Sequence, residues 1–294
     1  MFYPSKNNNE LNCLAFAPEC VSGLAMVNPH YRVDLCPHTR YVIDSGAFQE
    51  RDMLLRLQPW TALERQLRLE AQIEYSGGPS HAEAIVTYDC LVGVDEAIVN
   101  GKRVKVRGDE TSAAPAVAET LRSAREYHRL RGSVRGAIAY AAQGATPRQY
   151  LACVDSLLPL MRPGRDWLAL GGFCIIGRMP TLMMPIFDEV LRRVLPRVRR
   201  TGVTRVHILG VLYPPAIELA AGYERMCEGV RLSTDSAGTE MAAVFGRSYA
   251  GGDGVQRKSF TKDEKFTAYQ PAQLAIENIR NYTKWLATLE AART

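Results

Sequence analysis

Residues 41–49, Tyr-Val-Ile-Asp-Ser-Gly-Ala-Phe-Gln, decide how the rest of the chain is read. An apolar run stops at a carboxylate, followed by two small residues, an alanine, an aromatic and an amide. A buried strand that delivers Asp44 to its C-terminal tip is how α/β enzymes present reacting groups. Gly46 is expected to let a ligand approach the backbone, Phe48 to offer a flat face to a planar ring, and Gln49 to supply a donor and an acceptor.

Outward from this segment, short apolar, β-branched runs alternate with longer amphipathic patterns. Strands are expected at 11–17, 40–44, 84–89, 134–141, 167–170, 205–209 and 230–234, with an eighth in 254–260. Helices are expected near 51–74, 111–131, 147–161, 181–200, 214–228 and 271–291. Thr111 or Ser112 would cap the second, and Thr146-Pro147 and Tyr213-Pro214-Pro215 place proline in a first helical turn. Continuous apolar strands separated by helices imply a parallel sheet covered on both faces, and seven or eight such units favour a closed barrel. The expected fold is an α/β single-domain (β/α)8 TIM-like barrel over residues 1–294. Segments 92–110 (a charged hairpin) and 246–265 (rich in Gly, Lys and Arg) read as surface loops.

A chain of 294 residues fits one such barrel, and roughly three quarters of its unfolded surface can be buried. A hydrophobic content of 47% with 23% charged residues is that of a soluble globular protein. The net charge of +5 suits a polyanionic partner without requiring one. Seven cysteines stand singly, at 13, 20, 36, 90, 153, 174 and 227, so they read as buried thiols in a reducing cytosol; Cys36-Pro-His38 with Cys13 and Cys20 fits no familiar metal spacing. No signal core and no apolar segment of about 20 residues is present, so the expected location is the cytoplasm, off the membrane.

Reacting groups of a barrel gather where strands end. The expected tips carry Asp44, Asp89, Gln143-Gly144, Gly171-Gly172, Leu209-Gly210-Val211 and Asp235. Each aspartate alone could cap the following helix. Three at tips, with Gly46 and Gly238 close behind two of them, point to a ligand instead.

The segment Asp44-Ser45-Gly46-Ala47-Phe48-Gln49 resembles the Asp-Ser-Gly-Gly-(Phe/Tyr)-Gln signature of tRNA-guanine transglycosylases, with Ala47 in place of the second glycine. The later tips resemble that family in the same order, over roughly residues 40–240. The resemblance implies that Asp89 and Gln143 read the base edge and that Gly171, Gly172 and Gly210 lend backbone contacts. It further implies that Phe48 and Leu209 sandwich the ring, and that Asp44 and Asp235 are catalytic, Asp235 as nucleophile. The departures are informative. The last cysteine is Cys227 and the last histidine His207, so the zinc site that follows the nucleophile in the tRNA enzymes is missing. Ile175-Ile176-Gly177-Arg178 replaces a glutamate that helps accept an aminomethyl base. A short, zinc-free barrel with Ser233-Thr234-Asp235-Ser236-Ala237-Gly238 is most similar to the DNA 7-deazaguanine transglycosylases of bacteria and phages. These exchange guanine in DNA for 7-cyano-7-deazaguanine (preQ0) or a congener, and need no cofactor.

Exchange at C1′ with retention needs two displacements, hence a covalent intermediate. Asp44 would then serve as acid and base, helped by a neighbouring carboxylate that raises its pKa. The target guanine must be flipped out or single-stranded. Arg247, Arg257, Lys258, Lys262 and Lys265 are the expected nucleic-acid contacts. The richer cluster Arg192, Arg193, Arg197, Arg199 and Arg200 reads as a solvated helix end that complements the dipole. Expected partners are DNA, the free 7-deazaguanine base, a helicase-like or other modification-cluster protein, and a second copy of the chain. The competing readings are a zinc-less tRNA-guanine transglycosylase, a non-catalytic accessory subunit of that family, and an unrelated barrel hydrolase.

Overall fold

A computed structural model describes residues 1–6, 22–50, 56–92, 94–99, 102–258 and 269–291. Eight parallel strands close a barrel: β1 (Phe2–Lys6), β2 (Leu24–Val27), β3 (Arg40–Ile43), β4 (Ala84–Val86), β7 (Ala137–Ala142), β8 (Trp167–Leu170), β9 (Arg205–Ile208) and β10 (Arg231–Ser236), in that order around the ring. Closure is made by β1 against β10, with Phe2 opposite Thr234 and Tyr3 opposite Asp235. Between β4 and β7, the antiparallel pair β5 (Val94–Val99) and β6 (Lys102–Arg107) forms the expected hairpin.

Strand alternation divides the core in two. Outward-facing Phe2, Tyr41, Ile43, Ile85, Ile138, Leu168, Leu170, Val206 and Leu232 pack under the helices. Inward-facing Tyr3, Met26, Val42, Trp167 and a run of alanines (84, 137, 139, 141, 169) fill the barrel. The interior has a fixed volume, so the small residues of β4, β7 and β8 make room for the rings of Tyr3 and Trp167, whose centroids lie 6.4 Å apart.

The covering helices are α1 (Pro59–Tyr75), α2 (Glu110–Arg129), α3 (Pro147–Leu157), α4 (Pro180–Arg200), α5 (Pro214–Met226), a short α6 (Gly238–Val244) and α7 (Tyr269–Ala291). Pro147 opens the first turn of α3 as expected, and Thr146 caps it, its hydroxyl accepting from the Gln149 amide at 3.2 Å. The cap of α2 is Asp109, whose carboxylate accepts from Ser112 at 2.7 Å, rather than Thr111 or Ser112. Helix α1 starts at Pro59 because the residue before a proline is pushed to extended backbone, with Gln58 at φ −67°, ψ 145°; residues 51–55 of the expected helix lie outside the described residues. No helix among the described residues is long and apolar enough to cross a membrane.

Helix α7 is more than a cover. Its Tyr282 hydroxyl donates to the Leu212 carbonyl at 3.2 Å, level with the C-terminal mouth, whereas Glu290 lies 3.7 Å from the Met1 ammonium at the opposite end. The residues before Tyr282 therefore rise above the mouth. Ala243 of α6 packs there on Leu274, Ala275 and Ile279. The ribbon β11 (Arg247–Ser248) and β12 (Arg257–Lys258) joins them through buried Asn278, which donates to the Thr239 and Arg247 carbonyls and accepts from the Tyr249 amide.

Two strand expectations are corrected. Residues 254–258 hold no barrel strand, and 259–260 lie outside the described residues: Arg257–Lys258 pairs with β11, since two adjacent cationic residues have no apolar face to bury. The first two barrel strands are β1 and β2, while 11–17 lies outside the described residues. The thiol reading fails at Cys36, which is disulfide-bonded, and the expected burial fails at Cys174, which is exposed; Cys90, Cys153 and Cys227 are buried thiols.

Truncating the large interior ring should be costly, because the alanines opposite cannot expand to fill the void. Trp167→Ala is expected to lower unfolding free energy by about 3–5 kcal/mol, measured by denaturant titration.

Candidate active site

The strand tips converge at the C-terminal mouth. Asp44 directly follows β3; its amide donates to Val27 at 2.8 Å, and its own carbonyl accepts from Gln66 at 2.8 Å. Gln66 is fully buried on α1, also donates to the Val86 carbonyl at 2.9 Å, and accepts from the Tyr127 hydroxyl at 2.6 Å. One amide side chain thereby ties the ends of β3 and β4 together and fixes where Asp44 starts. On the Asp44 carboxyl group, Ser45 N–H donates to Oδ1 at 2.8 Å and Asn28 Nδ2 to Oδ2 at 3.4 Å.

Burial raises the Asp44 pKa to about 7, with further contributions from the negative charges of Asp235 and Asp89. The three carboxyl groups thus share one electrostatic neighbourhood. Asp89 is buried, and burial raises its pKa as well. Gln143 Nε2 and the Ser45 hydroxyl oppose that rise by donating to its carboxylate, the former at 2.6 Å to Oδ2. The other end of the same amide, Gln143 Oε1, is buried without a hydrogen-bond partner.

Asp235 lies on β10, its Oδ1 accepting from the Gly210 amide at 2.8 Å and facing His207 Nε2 at 3.1 Å. Gly210 has φ +72°, and a Cβ there would lie 2.7 Å from that of Cys174, so this donor position needs glycine. Gly171 is required for a different reason. A Cβ would come within 2.1 Å of Gln143 Nε2, and the Gly171 carbonyl accepts from Tyr150. Gly172 adopts φ +78° beside it.

Several expected roles change. Gly46 is buried, and its open side meets Arg65, Pro29 and His30 rather than a ligand-sized space; its φ of +73° is what requires glycine. Gln49 is exposed, and Phe48 stands on the rim, 50% exposed. Leu209 packs at the top of the interior cluster. Gly210 contacts Asp235, a placement the expectation of a base contact did not include.

Of the expected nucleic-acid contacts, Arg247 is exposed on the ribbon above the mouth, opposite Lys258 in register. Arg257 is ion-paired with Asp253 at 2.5 Å, which offsets its charge. Lys262 and Lys265 lie outside the described residues. The second arginine cluster occupies the last turns of α4, where Arg192 and Arg193 pair with Glu189 and Arg197 with Asp155.

His207 and Ser45 are site residues absent from the sequence expectation. His207 shares the inward parity of Asp235 across paired strands, and a histidine inside Arg205-Val-His-Ile-Leu209 is the signal that marked it.

No family model matches the sequence, and no curated protein matches it. Among solved structures, one described as an L-ribulose 3-epimerase aligns with 99% of this chain and 96% of its own, at 12% identity and a TM-score of 0.43. A likeness at that level carries no argument about this chain.

The Asp44 assignment has a thermodynamic signature. A carboxyl group raised from 3.8 to about 7 favours the folded state fully below about pH 4, and that contribution is lost as pH rises through 7. Asp44→Asn removes this titration. Melting temperatures from pH 5 to 8.5 should show wild type losing ground to the variant up to about pH 7, with a constant gap above. A gap independent of pH would contradict the raised pKa.

Proposed function

We propose that the chain is a base-exchange transglycosylase that replaces guanine in DNA with a 7-deazaguanine, preQ0 or a congener. The observation that carries this reading is the division of labour among the mouth carboxyls. Asp44 is poised to hold a proton near neutrality. Asp235 is steadied by N–H donors, and Asp89 presents a buried edge with Gln143.

In the first displacement, an Asp235 oxygen forms a bond to C1′ as the C1′–N9 bond breaks, and Asp44 gives its proton to the departing guanine. The product is a deoxyribosyl ester of Asp235 with free guanine. In the second, Asp44, now a carboxylate, takes the proton from N9 of the incoming base. That nitrogen attacks C1′, and the ester bond breaks to return the Asp235 carboxylate. Two inversions give retention, and the carboxyl groups end as they began. Deoxyribose has no 2′-hydroxyl, so the site needs no partner for one. A guanine in duplex reaches this mouth only after leaving the stack, and Arg247 above the mouth is suited to a backbone phosphate.

The test is base exchange with radiolabelled guanine or preQ0 against DNA and against tRNA. Label is expected in DNA. Label entering only tRNA would replace this reading with that of a zinc-less tRNA enzyme. Asp235→Ala should abolish exchange, by at least about 10³-fold if it is the nucleophile. Unchanged exchange in that variant would remove Asp235 from the mechanism, and no exchange by wild type would favour an accessory subunit.

A further inference from the structure

We propose that His207 is a positioning residue that makes Asp235 a better leaving group in the second displacement; this rests on the transglycosylase reading above. Strand register creates the arrangement. His207 of β9 lies opposite Ser233 of β10, and Asp235, two residues further along, shares the inward face of Ser233. The imidazole therefore bridges two side chains of the neighbouring strand, with Nδ1 2.8 Å from Ser233 Oγ and Nε2 3.1 Å from Asp235 Oδ1. The ring is fully buried, with the Tyr3 ring edge-on at 5.8 Å and Trp167 tilted at 6.4 Å, so it is held in place.

The proton positions follow from the partners. A carboxylate oxygen only accepts, so Nε2 carries the hydrogen. Nδ1 is left to the Ser233 hydroxyl, which can donate or accept and so holds the ring turned towards Asp235. Asp235 Oδ1 thus receives two N–H donors, from His207 and from Gly210.

Those donors act unequally on the two states of Asp235. They stabilise a carboxylate, which carries a full negative charge, more than an ester, whose oxygens carry little. Their effect falls on the step in which the C1′–O bond breaks and its electron pair returns to Asp235. Removing the His207 donor should therefore slow release of the sugar more than its capture, and the covalent protein–DNA species should accumulate.

The experiment is rapid-quench exchange with an end-labelled guanine-containing single strand and preQ0, resolving the protein–DNA adduct on a denaturing gel. His207→Phe is expected to slow exchange on the order of tenfold to a hundredfold, with the KM for DNA little changed and a larger adduct fraction than wild type. His207→Gln, whose amide can donate towards the same oxygen, should restore most of the rate. Ser233→Ala should shift the adduct in the same direction by less, and it decides the matter alone if the His207 variants do not fold. Exchange within about twofold of wild type in His207→Phe overturns the proposal. So does a slow variant with no added adduct and no rescue by glutamine, the pattern of a packing residue. A wild-type protein that neither exchanges base nor forms adduct overturns the transglycosylase reading and this inference together, whereas an active wild type with an unaltered adduct in the variants overturns the inference alone.

Discussion

Crowding of negative charge in a poorly solvated barrel mouth is the constraint from which the rest of the site follows. Asp44 experiences the charge of both Asp235 and Asp89 on top of its own burial. Three ionised carboxylates cannot occupy such a place without compensation. Arg56 bonds the Asp89 carbonyl rather than its carboxylate. Hydrogen-bond donors offset part of that charge: Gln143 and Ser45 on Asp89, Gly210 and His207 on Asp235, Ser45 N–H and Asn28 on Asp44. What the donors leave uncompensated is met at Asp44 by a proton. The donor shell leaves Asp44 able to hold a proton near neutrality in a space it shares with two other carboxyl groups.

The barrel achieves this through parity. Each inward residue on one strand is followed two positions later by another, so β10 presents Ser233 and then Asp235, while β9 offers His207 to both. Below them Trp167 and Tyr3 close the interior, and the Tyr3 hydroxyl finds its partner in Glu83 at 2.5 Å, near the barrel floor. The interior rings keep water from solvating the carboxyl groups from beneath. Above, Asn278 fastens α6 and the ribbon to α7, so the wall that follows the Asp235 strand is pinned by three hydrogen bonds from one buried side chain.

Much of this was legible in the sequence, for a physical reason. Strands 40–43, 167–170 and 205–208 are dense in apolar residues because the barrel wall is buried on both faces, and density is visible without alternation. Phe2–Lys6 was not legible, as it contributes one apolar side chain to each face and then a proline, a serine and a lysine. Leu24–Val27 is just as apolar, but Leu, Ala and Met favour helix and only Val27 is β-branched, so the run does not read as a strand. Within the site, residue types announced the carboxylates but not their supports. Gln66 sits in a helix where its amide looks like any solvent-facing residue, and only the fold reveals that it is fully buried between two strand ends. The assignment of Gly46 to ligand space failed because a positive φ and an open approach demand the same residue, and sequence cannot separate them.

On the transglycosylase reading proposed above, the orientation of Gln143 sets which base the mouth would accept. Its Nε2 donates to Asp89, so a flipped amide would place Oε1 against a carboxylate oxygen and lose a 2.6 Å bond. Oε1 is thereby left facing no donor in a buried position, a desolvation cost of about 1–3 kcal/mol that a ligand N–H would relieve. A ligand suited to this edge brings a donor for Oε1 beside the acidic Asp89. The edge of guanine, shared by 7-deazaguanines, carries N1–H and a 2-amino group side by side. Adenine has an acceptor at N1 and would leave the buried oxygen lone pairs facing its own. A site of this kind discriminates by the penalty of an unmade bond more than by the strength of a made one. Gly171 contributes by having no side chain, because a single methyl there would push Gln143 out of the orientation on which that choice depends.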